Sequence, residues 1–228
     1  GYSTGLWSKM AELGWLALVF PEKYGGIDSN FLDLSVLLEE MGRALVPGPF
    51  FSTVVLGGLT LLDCAAESVK ANLIPKICAG DLLMTLALTE TSGTYQLDSI
   101  ETEASYQNGQ FMINGTKLFV TDAHVAELLI LVARTQNATE QEDGLTLFLV
   151  PSNSQGITIT PHHSIASDKQ SEITLENVRI SPDAIIGKKN MGGGIITRAL
   201  ERGAIARCME MLGGAEAVLE MTVEYTKQ

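Results

Sequence analysis

Leu86-Ala87-Leu88-Thr89-Glu90 and Asn114-Gly115-Thr116-Lys117-Leu118-Phe119-Val120-Thr121-Asp122-Ala123 stand in the middle of a 228-residue chain, and both read as strands. The first is a short apolar run that ends in a hydroxyl and a carboxylate. The second opens on Asn-Gly, the dipeptide most favoured in two-residue hairpin turns, and continues with an aromatic at Phe119 and a hydroxyl at Thr121. Together they offer backbone amides, two threonine hydroxyls and one ring to a flat heterocycle.

Upstream of these strands the period is helical. Leu6, Trp7, Met10, Leu13, Gly14 and Ala17 recur at three and four, which predicts an amphipathic helix over Leu6–Leu18. Pro21 and the pair Gly25-Gly26 stop it. A second helix is expected over Asp33–Ala44, with Asp33 as its N-cap and Leu45 to Pro49 as its end. Two more are expected over Thr53–Leu62 and Glu67–Cys78. From Met84 the pattern shortens to that of strands: Met84–Leu88, then Gln110–Ile113 and Lys117–Thr121 on either side of the Asn114-Gly115 turn. Leu128–Ala133, Leu145–Val150, Ile157–Thr160 and Glu172–Val178 continue the series, separated by turn clusters at Gln136–Gly144 and Pro151–Gly156.

The helical period returns from Gly192 to Gln228, with small residues at Ala199, Gly203, Ala206, Gly213, Gly214 and Ala217 that suit close packing. The fold class is therefore α+β. A helical domain is expected over 1–82, an antiparallel β-barrel or sandwich over 83–187, and the first helix of a C-terminal helical bundle over 188–228. The last helix shows no stop signal, so the sequence reads as cut before the protein's own end. The small-residue face of that helix is then expected to lie exposed.

The composition, 46% hydrophobic and 18% charged, suffices for a substantial core. The net charge of -12 argues against nucleic acid and anionic membrane surfaces as partners, since both are met with Lys and Arg. Cys64, Cys78 and Cys208 are odd in number and lack metal-ligand spacing, which reads as free thiols in a reducing compartment. No apolar run is long enough to span a bilayer. A cytoplasmic protein is expected, or one of the mitochondrial matrix in a eukaryote. His162-His163 has no third spaced partner, so no metal site is expected.

The order helices, β-domain, long helix, taken with six local motifs, resembles the acyl-CoA dehydrogenase family. Ala11 to Gly26, ending Pro21-Glu22-Lys23-Tyr24-Gly25-Gly26, is similar to the family's N-terminal signature. Leu38-Glu39-Glu40-Met41-Gly42-Arg43-Ala44 is similar to its next helix. Leu88-Thr89-Glu90 resembles the Thr-Glu-Pro flavin strand, and Asn114 through Thr121 the second flavin strand. Val178 to Pro182 and Gly187 resemble the exit from the β-domain. The resemblance implies FAD as cofactor and oxidation of an acyl-CoA thioester to its trans-2-enoyl form. In that reaction a carboxylate takes the α-proton and the β-hydrogen leaves as hydride to flavin. It further implies electron-transferring flavoprotein as electron acceptor, and assembly as a homodimer, homotetramer or heteromer.

Carried onto this chain, the family pattern makes Leu86, Ala87, Leu88 and Thr89 cofactor-binding residues, with Leu88 and Thr89 at the pyrimidine edge. It sets Thr121 near flavin N5 and Phe119 against the ring, with Val120 between them. The loop after Glu90 departs from the pattern: it reads Thr91-Ser92-Gly93-Thr94-Tyr95-Gln96-Leu97-Asp98, without the proline. Thr94 and Tyr95 stand near the usual substrate-side serine, and Ser92 is a further hydroxyl there. No catalytic residue is assigned. In most members the base lies in the C-terminal helical domain, here expected beyond Gln228. In a minority it lies on the last helix, where gapless counting from Gly213 reaches Gly203, which has no side chain. Glu201 is two residues away, about 200° round the helix, and reads as a solvated carboxylate. Ala204 replaces the usual arginine, with Arg202 nearby. This chain alone is expected to be inactive. Two alternatives are a non-catalytic partner subunit of a heteromeric acyl-CoA dehydrogenase and an acyl-CoA oxidase. Gly192-Gly193-Gly194 reads as a flexible helix entry, and Met209 and Met211 as helix packing.

Overall fold

The computed structural model describes residues 2–139, 143–165 and 168–227, and its elements run helical, then β, then helical. Helix α1 (Thr4–Glu12) is capped by Ser3, whose hydroxyl accepts from the Leu6 amide. It ends before the predicted Leu18 because Gly14 turns left-handed at φ 77, and Trp15–Ala17 forms only a 3-10 turn. Helix α2 (Phe31–Arg43) starts earlier than expected. Asn30, not Asp33, is its cap: Asn30 Oδ1 accepts from the amides of Leu32 and Asp33, while the Asp33 carboxylate reaches back to the Asn30 amide. The Thr53–Leu62 segment is a π-helix, Phe51–Gly58, that passes into α3 (Leu59–Cys64). Helix α4 spans Glu67–Ala79.

Among the described residues eight strands follow: β1 (Met84–Ala87), β2 (Glu103–Gln107), β3 (Gln110–Thr121), β4 (Leu128–Arg134), β5 (Leu145–Pro151), β6 (Ile157–His162), β7 (Gln170–Ile180) and β8 (Ile185–Ile186). Their order is β6-β7-β3-β2-β4-β5-β8, with β1 beside β4. Most pairs are antiparallel, but β1 and β2 both run parallel to β4, so the sheet is mixed and open rather than a closed antiparallel barrel. It folds over at the β2–β4 pairing Glu103↔Arg134, and its two halves enclose an apolar core in the manner of a sandwich. There Phe111 and Phe148 meet edge to face with ring centroids 5.1 Å apart. The other face of β4 and β5 joins the helices: Ile130, Val132 and Leu147 share a second core with Phe20, Leu38 and Ile74.

The predicted Asn114-Gly115 turn is not a turn. Strand β3 runs through it, and the hairpin turns at Asn108-Gly109, both at positive φ (51 and 82). Strand β2, which the sequence reading lacks, is the other arm. Asn114-Gly115 instead marks a bulge in the β3–β7 ladder. Asn114 Oδ1 accepts from the Asn177 amide at 2.7 Å there, and a Cβ on Gly115 would stand 2.4 Å from Thr102 Oγ1. Two Asn-Gly pairs carry the same local signal, and the partner β7 selects between them.

Helix α5 spans Gly193–Tyr225; Gln228 and residues 140–142 of the predicted turn cluster lie outside the described residues. Contrary to expectation, its small-residue face is largely used inside the fold. Ala199, Gly203, Ala206 and Gly213 are buried. Helices α2 and α5 cross in backbone contact: a Cβ on Gly213 would stand 1.8 Å from the Glu39 carbonyl oxygen, and one on Gly42 2.0 Å from that of Glu210. Several large apolar residues of α5 are exposed instead, including Met211, Leu219, Met221 and Tyr225.

Candidate functional site

The C-terminal end of β1, the last turn of β3, the π-helix and the middle of α5 converge on a cavity of about 490 Å³. Leu86, Leu88 and Thr89 form one wall and Phe119 and Thr121 the next. Phe51 and Leu56 close it from the π-helix, and Gly203, Ala204 and Arg207 from α5. The Arg207 guanidinium lies over the Phe51 ring, 3.6 Å from its centroid.

A second register shift in β3, between Lys117 and Val120, shapes the wall. Phe119 there has φ 54 and is 54% exposed, and Asp122 has φ 55. A bulky side chain at positive φ is a backbone outlier that costs of order 1–2 kcal/mol. The conformation ejects Phe119 from the ladder toward the cavity, where its ring lies 6.0 Å from that of His162.

Beneath this wall lies a buried ion pair. Lys117 Nζ is 2.6 Å from Glu90 Oε1, and the two side chains are 0% and 5% exposed. Lys117 also donates to the Leu88 carbonyl at 3.2 Å, and the Leu118 amide donates to the Thr89 carbonyl at 2.8 Å. Glu90 accepts from the amides of Glu101 and Thr102 as well. Burial pulls Lys117 down to about 8 against the opposing pull of Glu90. Burial pushes Glu90 up, but the charge and hydrogen bond of Lys117 and the two amides outweigh it, leaving the carboxyl below its ordinary range.

Of the residues singled out from sequence, Leu86, Leu88, Thr89, Phe119, Thr121 and Tyr95 line this one cavity. Ala87 and Val120 do not line it; both belong to the core between the sheet halves. Thr94 is not on the wall either. Its hydroxyl accepts from the Gln96 amide at 3.1 Å, inside its own loop, and Ser92 bonds Ser99. Phe51, Leu56 and Arg207 were missed, since nothing local in sequence brings a helix of the first eighty residues against one near the end. Gly203 does stand on the wall, while Glu201 is exposed and Arg202 is paired with Asp63 at 2.7 Å. Among the described residues, no carboxylate lines the cavity.

Other expectations resolve simply. The Gly193 amide donates to the Asp143 carboxylate at 2.7 Å, which caps α5 internally. Met209 is half-buried, but Met211 is 72% exposed rather than packed. A smaller adjoining cavity of about 220 Å³ holds Asp122, His124, Asp168 and Lys169. Asp122 accepts from the Ser52 hydroxyl at 2.7 Å, and burial raises its carboxyl above the ordinary value. Among the described residues, no helix is long and apolar enough to cross a membrane.

Comparison with known proteins supplies the context. The profile of the acyl-CoA dehydrogenase N-terminal domain matches residues 1–81, and that of the acyl-CoA dehydrogenase middle domain residues 85–178. An acyl-CoA dehydrogenase of Bacillus subtilis (strain 168) is 30% identical over 226 residues, 96% of this chain and 59% of the relative. The mitochondrial long-chain specific acyl-CoA dehydrogenase of Mus musculus is 28% identical over 233 residues, 99% of this chain and 54% of the relative. Butyryl-CoA dehydrogenase from Megasphaera elsdenii superposes with a TM-score of 0.90 at 25% identity, over 100% of this chain and 61% of that one. The ChsE4-ChsE5 complex from Mycobacterium tuberculosis superposes with a TM-score of 0.78 at 26% identity, over 87% of this chain and 51% of that one. The chain thus spans less than two thirds of the length of each of these relatives.

Proposed function

The chain belongs to the acyl-CoA dehydrogenase family, and we propose on that premise that its 490 Å³ cavity holds the ring of FAD together with an acyl-CoA thioester. The reaction we assign is oxidation of the thioester to its trans-2-enoyl form. The observation that carries the reading is the ejected Phe119. A strained aromatic that faces a cavity rather than the core is kept where the surroundings or a function require it. The donor set fits a flat ring with a polar edge. Among the described residues, the Thr89 amide and the hydroxyls of Thr89 and Thr121 have no hydrogen-bond partner, and all line or adjoin the cavity.

FAD, when bound, supplies a hydride acceptor. The residues of this chain would do the rest of the holding. Leu88 and Thr89 would present an amide and a hydroxyl to one edge, Thr121 a second hydroxyl, and Phe119 a packing face. Leu86, Leu56 and Leu200 would exclude water from the slot. Electrons would leave to electron-transferring flavoprotein. The pattern of free thiols at Cys64, Cys78 and Cys208 supports a reducing compartment, the cytoplasm or the mitochondrial matrix.

The α-proton needs a base, and the bare position at Gly203 favours one supplied from outside these residues. That same observation favours the second reading, a partner subunit completing the site of a different chain; one similar solved structure is itself a complex of two named components, ChsE4 and ChsE5. Visible absorbance of the purified protein after addition of FAD, followed by assay for enoyl-CoA, tests both. Flavin bands with enoyl product support the enzyme. Flavin bands without product support the partner subunit. A colourless protein that refuses FAD overturns the cavity assignment.

A further inference from the structure

The Lys117 ammonium does more than neutralise Glu90. It donates to the Leu88 carbonyl at 3.2 Å while fully buried. That carbonyl belongs to the same planar trans peptide as the Thr89 N–H, which therefore points the opposite way. Among the described residues the Thr89 N–H has no acceptor, whereas the Thr89 carbonyl is held by the Leu118 amide. Leu88 and Thr89 both line the cavity. A positive charge on the oxygen of a peptide draws electron density from its nitrogen, so the N–H at the other end becomes a stronger donor.

We propose that Lys117 is a positioning residue that acts through the Leu88–Thr89 peptide, making the Thr89 N–H a donor matched to a ring that gains negative charge on reduction. The inference rests on the flavin reading above and adds to it a specific control of redox balance. Glu90 is the second part of the device: it keeps the buried ammonium charged and, through the amides of Glu101 and Thr102, fixed in place. No atom of the pair needs to touch the ligand.

The measurement is the reduction potential of FAD bound to the purified protein, together with its affinity for oxidised FAD. Lys117→Met removes the charge at similar length but strands a buried carboxylate and risks misfolding. K117M/E90Q removes both charges and keeps an acceptor for the two amides, so it should retain the fold. In either folded variant the preference for reduced over oxidised flavin should fall about tenfold, equivalent to ~30 mV for a two-electron couple. A purely structural Lys117 would weaken both oxidation states together and leave the potential unchanged, and that result overturns the proposal. If the unmodified protein takes up no FAD, the flavin reading itself fails. An unshifted potential in FAD-loaded variants leaves that reading standing and removes only this role of Lys117.

Discussion

Replacing Glu90 by Gln takes one charge from a pair whose members are 0% and 5% exposed. Removing one partner of such a pair costs about 3–5 kcal/mol, because the other charge stays buried without compensation. A ceiling follows from the lysine itself. It can shed its proton, and at pH 7 that costs about 5 kcal/mol for a side chain of ordinary pKa 10.5. The E90Q penalty therefore lies near 3–5 kcal/mol at neutral pH. K117M should fall in the same range, while the double variant K117M/E90Q should recover most of the loss. The pH dependence has a definite sign. In the native protein Lys117 sits at about 8, below its unfolded value near 10.5, so the unfolded chain holds more protons between those limits. Wild-type stability from this group thus rises with pH across that window, by roughly 3 kcal/mol in all. In E90Q the lysine loses its proton at lower pH still, so the penalty should shrink as pH rises toward about 8 and level off above it. Urea unfolding of the four proteins at several pH values reads all of this, provided the m-values agree. A single-variant penalty below about 1 kcal/mol, or a double variant no better than the singles, would refute the coupled buried pair.

Three further outcomes follow from the structure. Gly213→Ala drives a methyl into the Glu39 carbonyl and should lower stability by about 1–3 kcal/mol, whereas Gly214→Ala, whose nearest contact is 3.7 Å away, should be neutral or gain up to about 1 kcal/mol from helix propensity; thermal midpoints compare them. Phe119→Asn places a residue tolerant of positive φ at the strained position, so stability should hold or rise by up to about 1 kcal/mol while FAD titration shows weaker uptake. Of the three thiols only exposed Cys208 should react rapidly with a disulfide reagent. Burial raises Cys64 to about 12 and Cys78 to about 11, so these should react only on unfolding, as a stopped-flow count of thiols would register.

Much of the fold was legible because long periodic segments leave little choice. Leu34, Leu38 and Met41 had to share one helix face, and the short, nearly continuous apolar runs of β4 and β5 suited strands buried on both faces. What escaped was decided at a distance. Asn30 rather than Asp33 caps α2 because Asp33 serves better at the third position of a capping box. The hairpin closes at Asn108-Gly109 because β7 pairs across both sides of Asn114-Gly115. The π-helix has no sequence signature of its own, yet it alone carries Phe51 and Leu56 to the cavity. The sequence signal of the site lies in two strands, so only its β wall is legible there. Arg207, 156 residues from Phe51 in sequence, enters through the packing of α5 on the π-helix.

The wall itself depends on a single irregularity. In an undisturbed strand, residues 117, 119 and 121 would point to one face, since side chains alternate with a period of two. Here Lys117 is sealed at 0% exposure while Phe119 stands 54% exposed. The register shift between Lys117 and Val120 breaks the alternation and separates their fates. One short stretch can then send an ammonium beneath the end of β1 and an aromatic ring over it. The left-handed strain at Phe119 opposes this arrangement by 1–2 kcal/mol on the usual scale, and the anchorage of Lys117 on Glu90 and Leu88 is what opposes its relaxation. The stability of the pair and the shape of the cavity are for that reason one property of β3. A variant that loses the pair yet keeps Phe119 ejected would show that the bulge holds itself.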